Sequence, residues 1–499
     1  MMRRRSCLVT LLLTYAWAPV SSGLSALSPP PANSNSNVPK EISEFQSLEK
    51  SAFQLEGPSE TANNNGVHSN GVAKKTHAAI VLNTNARGVS QDLVPVAESI
   101  FGKAYVFVTN TEEEGKVAAA KIMQPDSNIS MIIPVGGDGT LSSMINFLCG
   151  EIMKNNPEFT SMDQAMQALP LVAYVPLGTG NGVGSVVGSE MLSNPPWQIL
   201  GQKRRKLRQL RRMLTAYQQV VERINEDPNF LESTENTFDL VDLPMMEVSY
   251  PDSKKHDDTL CFFAGAGFDS LMLQDFQSIK KWAIRTKFLT KTLSSVAGYC
   301  VALVVKTLPK CVARQEHNIH VKVTTRDPDC LWVDHRRGDV VQSVGPTTTK
   351  SNNADDDDTV LYEGTTGILA AGTSPFYGGG LRLFPFARIT KDKMHLRLGR
   401  IHPLRGFFNI PQIFEGSFRD KSLSSFGCLD YIGGDFDIFI TSTVTTNNST
   451  ETEETKGFPV QHSGESVGYF ERFRLRVVKT PVRFLTLMEK RVIREEQRK

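Results

Sequence analysis

Two glycine-rich turns, each leaving an apolar run and about 40 residues apart, constrain this chain most. The first is Ile132-Ile133-Pro134-Val135-Gly136-Gly137-Asp138-Gly139-Thr140; the second is Ala173-Tyr174-Val175-Pro176-Leu177-Gly178-Thr179-Gly180-Asn181. Each reads as a buried strand, a tight turn and then a helix. Such a turn aims backbone N–H groups at one point, and the helix that follows adds its positive N-terminal end, which together make a phosphate cradle. Glycine is required where a Cβ would block the close approach of an anion. Within the first turn, Asp138 is a candidate to hold a magnesium-bound phosphate or, through water, an attacking hydroxyl.

Around these turns apolar runs alternate with helical periodicity. A strand at Ala78–Leu82 ends in Asn83-Thr84-Asn85-Ala86-Arg87-Gly88. The pattern then predicts helix 91–101, strand 104–108, helix 112–123, strand 130–135, helix 139–149 and strand 171–175. That alternation implies a doubly wound, mostly parallel sheet with its ligand at the carboxyl ends of the strands. A long helix is expected over 198–224, with Leu207, Leu210, Leu214, Tyr217, Val221 and Ile224 on one stripe. The basic residues of 203–212 are a candidate contact for anionic lipid heads or a solvated face.

From Phe238 the pattern shifts to short strands at 244–250, 260–264, 318–324, 366–370, 394–398, 435–440 and 472–478, interrupted by one helix at 280–307. The expected architecture is α/β plus β. A nucleotide-binding domain over 77–237 is followed by a largely antiparallel, sandwich-like domain over 238–487, with the active site in the cleft between them and a charged tail at 488–499. Polar insertions near 343–359 and 445–457 read as surface loops.

Net charge is +2 over 499 residues, so no global field points to nucleic acid. The seven cysteines show neither a Cys-x-x-Cys pair nor a metal spacing. Arg3 to Arg5, an apolar run from Leu8 to Pro19 and small residues at 21–23 fit a secretory signal peptide over 1–23. The Ser-, Pro- and Asn-rich stretch that follows, within a polar region reaching 76, reads as a disordered transit extension. Two-part targeting to a complex plastid is expected ahead of the ER or Golgi lumen or secretion, with peripheral membrane association.

Ile132–Thr140 followed by Pro176–Asn181 resembles the diacylglycerol kinase catalytic domain family, which includes diacylglycerol, sphingosine and ceramide kinases. Asn83–Gly88 resembles its first nucleotide loop, and Gly265-Ala266-Gly267-Phe268-Asp269 resembles the segment opening its second domain. Tyr377-Gly378-Gly379-Gly380 with Pro385 and Ala387 resembles its glycine-triplet stretch. The resemblance spans roughly 77–487. It implies an ATP- and Mg²⁺-dependent transfer of the γ-phosphoryl group to the hydroxyl of a diacylglycerol- or sphingoid-type lipid at a membrane surface. Asn83, Asn85, Arg87, Gly136, Gly137, Asp138, Gly139, Thr140, Gly178, Thr179, Gly180 and Asn181 would meet the nucleotide, Asp138 the metal, and Asp269, Gly378 and Gly379 the acceptor.

Gln461-His462-Ser463-Gly464-Glu465 lies where the family has Asp-Gly-Glu, whose aspartate is the general base. Ser463 occupies that position, which leaves His462 or Glu465 to take the proton. The second turn continues Asn181-Gly182 in place of Asn-Asp, and near Pro385 the acid Asp392 is one position out of register. Two other readings remain: a nucleotide- or lipid-binding pseudokinase, and an NAD kinase, which shares Gly-Gly-Asp-Gly-Thr. Gly464-Glu465-Ser466-Val467-Gly468 also fits a nucleophile elbow, but the alternation of Arg472 to Val477 speaks for a strand in place of the helix such an elbow needs. Acceptor lipid and oligomeric state are not written in the sequence.

Overall fold

The computed structural model describes residues 75–487 except 87, 179–180, 188–202, 228, 233–237, 254–255, 287–295, 315–317, 336–339, 345–357, 378–380, 400–403, 405, 407–408, 410–427 and 444–456. The signal and transit segments expected over 1–74, both polar insertions for most of their length, and the tail at 488–499 lie outside the described residues.

The first sheet runs in the order Val106–Thr109, His77–Asn83, Ile129–Gly136, Leu171–Val172, Val482–Leu487, Phe238–Leu243, and Val175–Pro176 pairs beside Ile129–Gly136. The pairs among the strands before residue 180 are parallel. Their side chains are apolar toward both faces, as a sheet covered on two sides requires. From His77–Asn83, Ile80 and Leu82 meet Leu93 and Ala97 of the helix Leu93–Phe101 and Leu210, Leu214 and Tyr217 of the helix Lys203–Glu226. Ala79 and Val81 of the same strand turn to Leu141, Ile145 and Leu148 of the helix Asp138–Asn155. The helix expected over 198–224 is therefore present with its apolar stripe in the core, while Arg208, Arg211 and Arg212 are exposed.

Two antiparallel sheets follow. One has the order Thr359–Thr366, Ile319–Thr325, Asp435–Thr443, Arg472–Val477, Met246–Ser249, Thr259–Cys261. The other has the order Val340–Ser343, Leu331–Asp334, Cys428–Gly433, Met394–Gly399, Ile368–Gly372, Phe263–Gly267, Phe458–His462, Glu465–Phe470. Val321, Val323, Ile438 and Phe473 from the first share one core with Ala264, Ala266, Leu369, Leu396 and Val460 from the second. The mixed architecture of a parallel sheet and antiparallel sheets is the one expected.

Two sequence expectations change. The strands Phe238–Leu243 and Val482–Leu487, assigned to the second domain by their place in the chain, pair with each other in the first sheet, and Phe484 pairs parallel with Val172. The cause is legible in their side chains: Phe484 and Val482 fill one face of that sheet and Leu485 and Leu487 the other. In place of one helix at 280–307, the described residues hold a helix that starts at Phe268, directly after the strand, and reaches Thr286, and then Val296–Ala302, a π-helical turn Leu303–Thr307 and Leu308–Arg314. The six cysteines among the described residues are free thiols.

Within the last-named sheet, the buried carboxylate of Asp430 receives Arg397 Nε and Nη2, both at 2.7 Å, and lies 2.8 Å from His335 Nε2 and 3.0 Å from His395 Nε2. Burial alone would raise the pKa of Asp430, but Arg397 and His395 hold it well below the usual carboxylate range. Removing one member of such a buried set leaves an uncompensated charge. Asp430→Ala is expected to lower unfolding stability by about 3–5 kcal/mol. For the native chain a depressed carboxyl pKa stabilises above the unfolded value, so denaturant midpoints are expected to fall as pH drops below about 4.

Candidate active site

The two glycine turns meet back to back. A Cβ on Gly178 would lie 2.3 Å from Gly137 Cα, and one on Gly136 would lie 2.5 Å from Thr140 Oγ1. Neither contact leaves room for a side chain, so these glycines are demanded by packing as well as by ligand approach. Gly137 is the N-cap of the helix Asp138–Asn155 and has no side chain to cap it. The first-turn amides of an 18-residue helix thus face the junction of the two turns.

The second turn is tied by its own side chain and by the first turn. Asn181, at φ 47°, accepts from Gly178 N at 2.9 Å and donates through Nδ2 to Gly178 O at 3.0 Å. Asp138 is buried; Oδ2 accepts from Gly182 N at 2.6 Å, and Oδ1 accepts from Val183 N and from Tyr174 Oη, each at 3.3 Å. Burial raises its pKa to about 6 against the opposing pull of those three donors. Its oxygens clamp the second turn onto the first, and no cluster of three or more metal-ligating side chains occurs among the described residues.

The first loop joins the same junction. Asn83 Nδ2 donates to Thr140 Oγ1 at 2.8 Å, and Asn83 Oδ1 accepts from Asn85 N at 3.0 Å. Asn85 is further bonded through Nδ2 to Asn110 O. Gly88 N donates to Leu177 O at 2.9 Å, linking the first loop to the second turn. Arg87, Thr179 and Gly180, expected at the nucleotide, lie outside the described residues.

The hairpin Phe458–His462/Glu465–Phe470 brings the late segment onto this junction from more than 300 residues away. Its turn uses Ser463 at φ 49° and Gly464 at φ 81°. Ser463 is buried, its Oγ 2.9 Å from Ser142 Oγ on the helix Asp138–Asn155. Among the described residues neither hydroxyl has an acid as hydrogen-bond partner, and Ser463 ties the hairpin to that helix. Burial lowers the pKa of His462 to about 4, keeping the ring neutral and weakly basic at neutral pH. A Cβ placed on Gly139 would be only 3.1 Å from Glu465 Oε1. Burial raises the pKa of Glu465 above its ordinary value, and its carboxyl group lies against the glycine turn. Because Ser466 lies on a strand, the nucleophile-elbow match has no structural basis.

Asp269 lies in a neighbouring polar cluster. Its Oδ2 accepts from Tyr377 Oη at 2.8 Å and from Gln461 Nε2 at 3.1 Å, while Gln461 Oε1 accepts from Gly464 N at 3.2 Å. Burial raises its pKa to about 6, against the lowering effect of Tyr377 and Gln461. The cluster therefore connects the strand end at Gly267 to the turn before Glu465. Gly378 and Gly379 lie outside the described residues. Sequence reasoning missed Tyr174, Ser142 and Gln461. Tyr174 lay in plain view between two apolar residues of the second motif, whereas Ser142 and Gln461 acquire their roles only through contacts far apart in sequence.

Residues 77–213 match the family model of the diacylglycerol kinase catalytic domain. This segment holds both glycine turns and stops short of the hairpin that carries Glu465. Among solved structures, the chain is similar to a diacylglycerol kinase from Bacillus anthracis str. Sterne, with 12% identity, a TM-score of 0.40, and coverage of 84% of this chain and 98% of that one. It is also similar to yeast NADH kinase complexed with NADH, with 9% identity, a TM-score of 0.35 and 84% of each chain covered. No curated protein matches the chain.

Gly178→Ala must push the two turns apart, and it is expected to weaken nucleotide binding by about tenfold or more in titration calorimetry while the fold persists. Affinity is also expected to depend on pH through Asp138. Below about 6 its carboxyl takes a proton and loses acceptor capacity toward Gly182 and Val183, so nucleotide affinity should fall from pH 7.5 to pH 5. Asp138→Asn should flatten that dependence, because an amide has no proton to gain in this range.

Proposed function

We propose that the chain is an ATP-dependent lipid kinase that phosphorylates the hydroxyl of a diacylglycerol- or sphingoid-type lipid. The observation that carries this reading is the position of Glu465 against Gly139, where an acid meets the phosphate-type turn. ATP would supply the phosphoryl group to be transferred. The backbone of residues 136–140 and 178–181, with the side-chain amides of Asn83 and Asn85, would hold its phosphates. The narrow, side-chain-free junction of Gly137 and Gly178 fits an anion chain better than a bulky group. No cluster of three or more metal-ligating side chains occurs among the described residues, and in this reading magnesium would arrive with the nucleotide and be held chiefly by its phosphates.

Phosphoryl transfer asks little covalent chemistry of a protein; positioning and charge stabilisation supply most of the rate. In this reading Glu465 accepts a hydrogen bond from the acceptor hydroxyl and takes its proton as the hydroxyl attacks. Ser463 and Ser142 hold the hairpin so that Glu465 stays over the turn. The Asp269–Tyr377–Gln461 cluster steadies the same hairpin from the other side and offers a polar surface for the acceptor headgroup. The serine at the family's aspartate position is then compatible with turnover, because the neighbouring acid assumes the base role.

The test is transfer of labelled γ-phosphate from Mg-ATP to diacylglycerol, sphingosine, ceramide and monoacylglycerol in mixed micelles, with NADH as a soluble comparison acceptor. Glu465→Gln is expected to lower kcat by about 10²–10⁴ with nucleotide affinity unchanged, whereas Ser463→Ala and His462→Gln should change kcat by less than about tenfold. Full activity in Glu465→Gln would remove Glu465 as base. Nucleotide binding without labelling of any lipid would support the pseudokinase reading, and labelling of NADH alone would support the NAD kinase reading.

A further inference from the structure

The helical insert between the strands Phe263–Gly267 and Ile319–Thr325 exposes several large apolar side chains. Its inner side is an ordinary small core of Leu273, Phe276, Ile279, Ala283 and Ala302, with the Phe276 and Tyr299 rings stacked at 3.7 Å. On its outer side Trp282, Ile284 and Val305 are 53%, 54% and 63% exposed, and Val312 is also exposed.

Trp282 and Val305 belong to one surface. Gln274, Ser278 and Trp282 are spaced four apart on the helix Phe268–Thr286 and so share a face. Gln274 Nε2 bonds the exposed Tyr469 at 3.3 Å, and Ser278 Oγ receives Lys306 Nζ at 2.6 Å, next in sequence to Val305. The stripe therefore runs from Tyr469 through the Lys306 contact to Trp282. Tyr469 itself sits on the strand Glu465–Phe470, which begins at the candidate base, so the surface continues toward the cleft.

The charge on this insert has one sign outward. Lys280, Lys281 and Arg285 are exposed beside Trp282 and Ile284, and Lys306 flanks Val305. The two acids of the described helices point inward: Asp269 to Tyr377 and Gln461, and Asp275 to Thr307 at 2.9 Å and Lys310 at 2.8 Å. Exposed aliphatic residues with a Trp and a Tyr, ringed by cations, match the polar–apolar boundary of an anionic bilayer. The basic helix Lys203–Glu226 differs, since its apolar stripe is spent in the core and it offers charge alone. No helix among the described residues is long and apolar enough to cross a membrane, so contact through this insert would be peripheral.

We infer that the outer face of this insert, through Trp282, Val305, Lys281 and Arg285, docks the protein on an anionic lipid bilayer. The docking stands on this surface and does not require phosphoryl transfer. The full chain is sedimented, without nucleotide, with vesicles of phosphatidylcholine alone or containing about 30 mol% phosphatidylserine. Binding to the anionic vesicles is expected, accompanied by a blue shift of Trp fluorescence that W282A/V305A removes. K281E/R285E should reduce the bound fraction about tenfold or more, and added salt at about 0.5 M should weaken wild-type binding. The charge reversal R208E/R211E/R212E on the other helix serves as the comparison. The inference is overturned if K281E/R285E and W282A/V305A bind as wild type does, or if only the comparison variant loses binding. It is overturned equally if the face instead joins two copies, seen as a lipid-free dimer that W282A/V305A disperses. Because the substituted side chains are exposed, unchanged melting temperatures are expected to accompany each result. Transfer to lipid with unaffected vesicle binding by the variants would sink the docking while leaving the kinase reading intact, and binding without transfer would do the reverse.

Discussion

The contact between Gly137 and Gly178 is the constraint on which the site depends. Two strand ends converge so closely that a Cβ on Gly178 would overlap Gly137, and the backbone amides there are organised by Asp138 and Asn181. Asp138 satisfies two amides of the second turn from the first residue of the helix behind the first turn. A carboxylate buried this way is costly, which is why its pKa rises, and the three donors around it limit that cost. The result is a pre-formed, N–H-lined junction that requires little rearrangement to meet an anion.

The second dependence is long-range. The parallel sheet is completed only when the chain returns from the β-rich region, with Val482–Leu487 inserted beside Leu171–Val172. That return fixes the two regions to each other through a shared sheet, and the hairpin turn at Ser463 docks on Ser142 of the helix behind the first glycine turn. Glu465 therefore reaches Gly139 through backbone geometry on both sides, and the hairpin is further held by Phe263 O accepting from Ser463 N at 2.9 Å. The serine pair Ser142–Ser463 fixes the turn that precedes Glu465.

Surface chemistry follows the same division. The helix Lys203–Glu226 uses its apolar stripe to cover the first sheet, so its arginines are a solvated face over a finished core. The insert Phe268–Arg314 covers less, and its large apolar side chains remain outside among lysines. Under the proposed function a lipid acceptor would have to leave or tilt out of a bilayer to react, and an enzyme held at that boundary would meet a far higher local concentration of it.

Local chemistry alone determined the alternation of strands and helices to residue 176, the two phosphate-type turns, and the change to short strands after 238, because apolar periodicity and glycine placement act over a few residues. The sequence also singled out Asp138, Ser463 and Glu465, but not what each does. Only tertiary structure decided that Asp138 is a clamp, since its partners Gly182 and Val183 are more than 40 residues away. It alone decided that Phe238–Leu243 and Val482–Leu487 belong to the first sheet, because strand partners are chosen by which faces need covering and not by order along the chain. It also separated His462 from Glu465: burial disfavours charge on both, but only Glu465 sets a carboxyl group against the glycine turn.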